Sequence, residues 1–139
     1  MKIDSLLIEK ANKAIVKSGI VNEKDGQYDK VFKGYISSFG ASIAQAGLIP
    51  TIVFYEAASE QAKDRPKVVK ALMQLLDEKY RVDSLAKHLL SQRANMNKED
   101  FEKEEKLLLK RVLEAMVAIK LALRLYKEKK QKGTENGEG

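Results

Sequence analysis

Basic side chains at helical spacing are the chemistry this sequence offers in greatest supply. Lys10, Lys13 and Lys17 recur at intervals of three and four residues, which places them within about 60° of one another on a helix. Lys63, Lys67 and Lys70 repeat that spacing around Pro66, Arg81, Lys87 and Arg93 follow, and Lys106, Lys110, Lys120 and Arg124 share one flank of the last predicted helix. A helical turn rises about 5.4 Å, comparable to the separation of backbone phosphates, so such rows suit an extended polyanion. The whole chain carries 26 Lys and Arg against 20 Asp and Glu, a net charge of +6, and that surplus also points to an anionic partner, nucleic acid first. With 6% aromatics and no Trp, platforms for stacking unpaired bases are few, so contact through phosphates is expected. Taken singly, each row also reads as a solvated helix face with i,i+4 pairing.

Catalytic chemistry has little to work with. There is no Cys, and His88 is the single histidine, set between Lys87 and Leu89 with no carboxylate in a recognisable motif. A half-exposed structural role is expected for it, and disulfides, thiolate zinc sites and Cys nucleophiles are excluded. The acidic group Glu99, Asp100, Glu102, Glu104 and Glu105 is interleaved with Lys98, Lys103 and Lys106, the pattern of a dipole-matched helix start rather than a magnesium site. The segment from Gly40 to Gly47 lacks the GxxxxGK[ST] spacing of a phosphate loop. No metal, cofactor or catalytic residue is expected.

The elements that must position the basic rows are helices throughout. Ile3, Leu7, Ala11 and Ala14 define the first, with Gly19 as its left-handed stop. In the second, Tyr28, Val31, Phe32, Tyr35, Ile36, Phe39, Ile43 and Ala46 form one broad apolar stripe, while Gly34, Ser37, Ala41 and Ala44 leave the opposite side bare. Gly40 costs about 1 kcal/mol in a helix interior relative to Ala, so the bare side is expected to receive a second backbone at close range. Gly47 ends this helix in the left-handed region and Pro50 opens the next. The run Ile49, Ile52, Val53, Phe54 and Tyr55 is apolar all round, which predicts a helix that starts buried, with a short strand as the alternative.

Pro66 starts a further helix with Val69, Leu72, Met73, Leu76 and Tyr80 on its stripe, and a shorter one follows Asp83 with Leu85, Leu89 and Leu90. Asn97 caps the longest, expected to run to about Lys130. Its main stripe is Phe101, Leu108, Val112, Ala115, Ile119, Leu123 and Tyr126; Leu113, Val117 and Leu121 lie off it, so this helix is expected to be contacted on two sides, within the fold or by a partner protein. From Arg124 to Lys132 five cations face one anion, Glu128, and at a helix C-terminus they favour the dipole. Residues 1–132 are expected to form a single all-α domain, a compact bundle of about six helices, and residues 133–139 a flexible polar tail. The opening MKIDSLLIEK has neither the unbroken apolar core nor the small-residue cleavage site of a secretory signal, and the low-charge window Ala41 to Ala58 holds Ser42, Gln45, Pro50 and Glu56, so a cytoplasmic protein with no membrane contact is expected.

The order YISSFGASIAQAGLIPTIVFYE, Tyr35 to Glu56, resembles the signature of the small all-helical subunit of the Cmr complex, the type III-B CRISPR effector that silences RNA. Size, helix series, basic balance and the long closing helix are similar to that family too. The resemblance implies a non-catalytic structural subunit that bridges backbone subunits and helps line the channel where target RNA pairs with guide RNA, cutting being done by a neighbouring subunit. Its partners would be the other Cmr proteins and both RNAs, and the free subunit would be monomeric or weakly self-associating. A helical protein–protein adaptor whose charge serves solubility is the alternative, and a metal-dependent nuclease comes third.

Overall fold

The computed structural model describes residues 2–130; the tail at 133–139 lies outside the described residues. Six helices follow in order: α1 (Ser5–Lys17), α2 (Lys30–Ala46), α3 (Leu48–Glu56), α4 (Pro66–Leu75), α5 (Leu85–Asn95) and α6 (Lys98–Leu123). A 3₁₀ turn, Glu78–Tyr80, joins α4 to α5, and two-residue strands β1 (Gln27–Tyr28) and β2 (Lys127–Glu128) pair in parallel. The fold is all-α.

Each helix start has a local cause. Asp4, Asp29, Ser84 and Asn97 each accept a backbone N–H of the first turn, at 2.8, 3.0, 3.1 and 2.8 Å, meeting donors that a helix leaves unpaired. α3 and α4 lack such a side chain; Pro50 and Pro66 stand in their first turns, where a missing N–H costs nothing. Gly47 joins α2 to α3 at φ +96° and ψ 167°, a glycine region beyond the left-handed helical well expected from sequence.

α1 packs most extensively against α6 and α4, α2 against α6 and α3, and α3 against α5 and α4. One core results, with Ile15, Phe39, Ile52, Leu72, Leu85 and Ile119 fully enclosed. The α2–α3 hairpin is closed from its inner side: Phe39 meets Tyr55 edge-on at 4.7 Å, the Tyr55 hydroxyl donates to the Tyr35 carbonyl at 2.7 Å, and the Ser42 and Thr51 hydroxyls bond at 2.9 Å. Tyr55 is buried and Thr51 completely so, so these bonds satisfy groups that burial would otherwise penalise.

Three expectations are corrected. The small-residue side of α2 does not receive another backbone: Gly34, Ser37, Ala41 and Ala44 are exposed, and a Cβ on Gly40 would meet nothing within 4 Å. The aromatic stripe makes the close contacts, and small residues here only face water. α3 is a helix that starts buried as expected, at Leu48, Thr51 and Ile52, but it covers only one side of an all-round apolar run, leaving Val53 and Phe54 exposed. α6 ends at Leu123, well short of Lys130, because the chain turns at 124–126 and pairs with the 26–28 segment instead: Lys127 N–H donates to the Gly26 carbonyl at 3.2 Å and Lys129 N–H to the Tyr28 carbonyl at 2.8 Å. The Tyr126 hydroxyl, 2.5 Å from Asn12 Oδ1, anchors the turn to α1. Tertiary pairing thus overrides a helical pattern, and of the cations after Arg124, Lys127 lies in β2 and Lys129 and Lys130 follow it.

Candidate nucleic-acid and partner surfaces

Two of the basic rows lie on neighbouring antiparallel helices. Leu7 and Lys10 of α1 share a cavity with Leu75 and Leu76 at the end of α4, while Gly19, just past α1, sits under the Lys67 side chain at the start of α4, 3.6 Å from where a Cβ would be. Lys10, Lys13, Lys17 and Lys70 are exposed. Lys67 is different. Its ammonium is 3.1 Å from Asp64 and 5.9 Å from the Phe32 ring, so its charge is engaged within the fold. Lys63 falls in the turn before α4 rather than on the helix, so the row expected around Pro66 keeps only Lys70 as a free helical cation. Lys13 lies 3.8 Å from Glu9 with both side chains largely in water, a pairing worth little.

The other basic candidates are dispersed. Arg93 and Lys106 face a groove between α3, α5 and α6, which also brings in Lys98. Arg81 lies 3.4 Å from the Gln74 carbonyl, Lys87 is in the first turn of α5, and Lys110, Lys120 and Arg124 are exposed along α6 or at its end. Of the off-stripe positions on α6, Leu113 packs against the margin of the core, Leu121 is half-buried and Val117 is exposed. The second side of α6 is therefore partly covered by the fold itself.

The α3–α5–α6 groove encloses about 1340 Å³ and gathers Val53, Phe54 and Leu90, all exposed and apolar. Arg65 lies over Phe54 at 3.9 Å and donates to the Ala57 carbonyl at 2.8 Å. Glu56, at the end of α3, fixes one bank of this groove. One oxygen accepts from Ser84 Oγ at 2.7 Å and the other from the Leu85 and Ala86 amides at 2.7 and 3.1 Å. A carboxylate on the positive end of α5 ties that helix to the hairpin.

A polar cluster joins the 3₁₀ turn to α6. Lys79 and the Tyr80 hydroxyl both bond Glu104 Oε1, the latter at 2.5 Å. The Lys79 ammonium first, then the Tyr80 hydroxyl, hold the Glu104 carboxyl below its ordinary value, and burial with the Glu104 bond pushes the Tyr80 phenol up. His88 is half-buried with its ring edge-on to Tyr80 at 5.7 Å, a packing role. Among the described residues no three His, Asp or Glu side chains converge as a metal site, and no helix is long and apolar enough to cross a membrane.

The family described as CRISPR-associated protein (Cas_Cmr5) matches residues 8–126. The chain belongs to the Cas_Cmr5 family. No curated protein and no solved structure matches it. The match takes in every helix apart from the first residues of α1 and also reaches the Tyr126 turn, so it covers far more than the Tyr35–Glu56 signature. Membership makes this a small helical subunit of the type III-B, Cmr kind. On this Cas_Cmr5 chain, sequence reasoning passed over Lys79 and Arg111 as surface cations and Glu56 as a cap. Leu107, Arg111 and Glu114 recur at four and three residues along α6, a periodic signal hidden by the stronger main stripe.

Proposed function

We propose that this chain is a non-catalytic structural subunit of the Cmr ribonucleoprotein, working in the cytoplasm, where it bridges backbone subunits and lines the channel in which guide and target RNA pair. The observation that carries the RNA part is the antiparallel packing of α1 against α4, which sets the exposed Lys13 and Lys17 beside a helix bearing Lys70. Long cationic side chains on adjacent helices follow a phosphate backbone without reading its sequence. The bridging part is supported by the α3–α5–α6 groove, whose exposed Val53, Phe54 and Leu90 are the apolar core a protein contact requires.

That groove also favours the adaptor reading, in which the chain docks on protein and RNA stays elsewhere. A tagged pull-down from native extract separates the two. Recovery of Cmr backbone proteins with short RNAs sharing a repeat-derived 5′ end, crosslinked to this chain, supports the proposal. Recovery of the proteins with RNA crosslinks only to other subunits leaves the adaptor.

A further inference from the structure

We propose that Arg65 is a positioning residue for protein docking: it holds the Phe54 ring as the fixed anchor of the α3–α5–α6 groove, which receives an apolar, acid-flanked segment of another Cmr subunit. The inference rests on the bridging reading above and adds which side chain is engaged, what keeps it in place and what chemistry it meets. An exposed aromatic side chain loses rotamer freedom when a partner covers it, so one that is already held costs less to bury. Phe54 is held on two sides. Its edge-on neighbour Tyr55, 5.8 Å away, is buried and bonded through its hydroxyl to the Tyr35 carbonyl. The Arg65 guanidinium lies 3.9 Å from the Phe54 ring centroid, within the range of cation–π attraction.

The guanidinium is fixed in turn. It donates to the Ala57 carbonyl at 2.8 Å, just past the end of α3, where the helix dipole favours a cation. The neighbouring Asp64 pairs with Lys67, so Arg65 forms no ion pair among the described residues and its charge serves the ring. Phe54 nevertheless stays 55% exposed, ordered by a charged side chain but not covered by the fold. The groove also narrows the partner's chemistry. Val53 and Leu90, exposed beside Phe54, call for apolar side chains, and a ring that already carries a guanidinium disfavours a second cation. Around them Arg93, Lys98 and Lys106 stand against Glu102 and Glu105, and Arg65 over Phe54 makes four cations against two anions. None of the six forms an ion pair among the described residues. That surplus favours carboxylates on the partner.

The test measures the affinity of the full chain for Cmr particles assembled without it. Phe54→Ala should weaken docking by about tenfold or more, and Arg65→Gln by about threefold to tenfold through the lost ordering of the ring. In the Phe54→Ala background Arg65→Gln should add nothing, a coupling that a merely structural Arg65 would not produce. Phenylalanine-selective NMR of the free chain should show one Phe54 rotamer in the parent and averaging in Arg65→Gln. Charge reversal by Arg93→Glu with Lys106→Glu should weaken docking by about tenfold. Parent-like docking by Phe54→Ala would sink the groove reading and this role with it. Weakened Phe54→Ala beside parent-like Arg65→Gln, additive losses in the double variant, or an unchanged Phe54 rotamer in Arg65→Gln would overturn the role of Arg65 alone. Docking unchanged or tightened by the charge reversal would overturn the acid-flanked partner, and self-association of the chain abolished by Phe54→Ala would give the groove to a second copy instead. Should Arg65→Gln fail to fold, Arg65→Lys takes its place, since a point charge cannot both lie flat on the ring and reach Ala57, and parent-like docking by it overturns the proposal.

Discussion

Removing the Glu56 carboxylate should loosen α5 from the rest of the bundle. Three donors converge on it, Ser84 Oγ, Leu85 N and Ala86 N, at 2.7, 2.7 and 3.1 Å. Hydrogen bonds to a charged acceptor are worth about 1.5–3 kcal/mol each in favourable cases, and a carboxylate at a helix N-terminus adds about 0.3–1 kcal/mol. Glu56 is only half-buried and water can replace part of what is lost, so Glu56→Ala should cost about 2–3 kcal/mol in all rather than the sum. For a chain of this size that is a fall in Tm of roughly 6–12 °C. Glu56→Gln keeps a single accepting oxygen and should lose about half as much. Thermal unfolding followed by circular dichroism measures both, and a double-mutant cycle with Ser84→Ala should return a coupling of about 0.5–1 kcal/mol. A Glu56→Ala variant within about 0.5 kcal/mol of the parent would refute the reasoning, because the bonds would then be no better than those to water.

Gly40 faces open space within α2, so Gly40→Ala should raise stability by up to about 1 kcal/mol; a lower Tm would mean that a partner backbone does approach that side. Tyr55→Phe removes the donor to the Tyr35 carbonyl and should cost about 1 kcal/mol in chemical denaturation, with the Phe39 stacking retained. The Glu104 carboxyl is held below its ordinary 4.5, so its bonds stabilise the fold above that pH and the benefit is lost as pH falls through the lowered folded value. Lys79→Met should therefore be less stable than the parent near neutrality, and the gap should narrow below about pH 4 in urea melts; a gap independent of pH would assign the loss to packing instead.

The helices were legible because their signals are local. Asn97 ahead of Glu99 and Asp100, Pro66, and the Gly47 to Pro50 corner each mark a boundary in the neighbouring residues alone. The buried stripe of α2, Phe32, Ile36, Phe39 and Ile43, follows from periodicity. What was not legible depends on residues far apart in the chain. Periodicity carries α6 on toward Lys130, whereas the Tyr126 bond to Asn12 and the pairing of Lys127 with Gln27 stop it at Leu123. A small-residue face has the same pattern whether it meets a helix or water, so the open space beside Gly40 is visible only in the fold. The candidate surface was half legible. The spacing of Lys13 and Lys17 predicts exposure, but only the fold shows that Lys67 is spent on Asp64 and Phe32 while Arg111 and Glu114 share a cavity with Lys10.

The most direct measurement is the salt dependence of target-RNA binding by the assembled Cmr complex carrying Lys13→Gln, Lys17→Gln and Lys70→Gln together. All three side chains are exposed, so assembly should be unaffected. Each phosphate contact contributes about 0.7 to 0.9 to the slope of log affinity against log salt, and loss of three should flatten that slope by about 2. An intact complex whose slope and affinity match the parent's would contradict an RNA-facing role for α1 and α4.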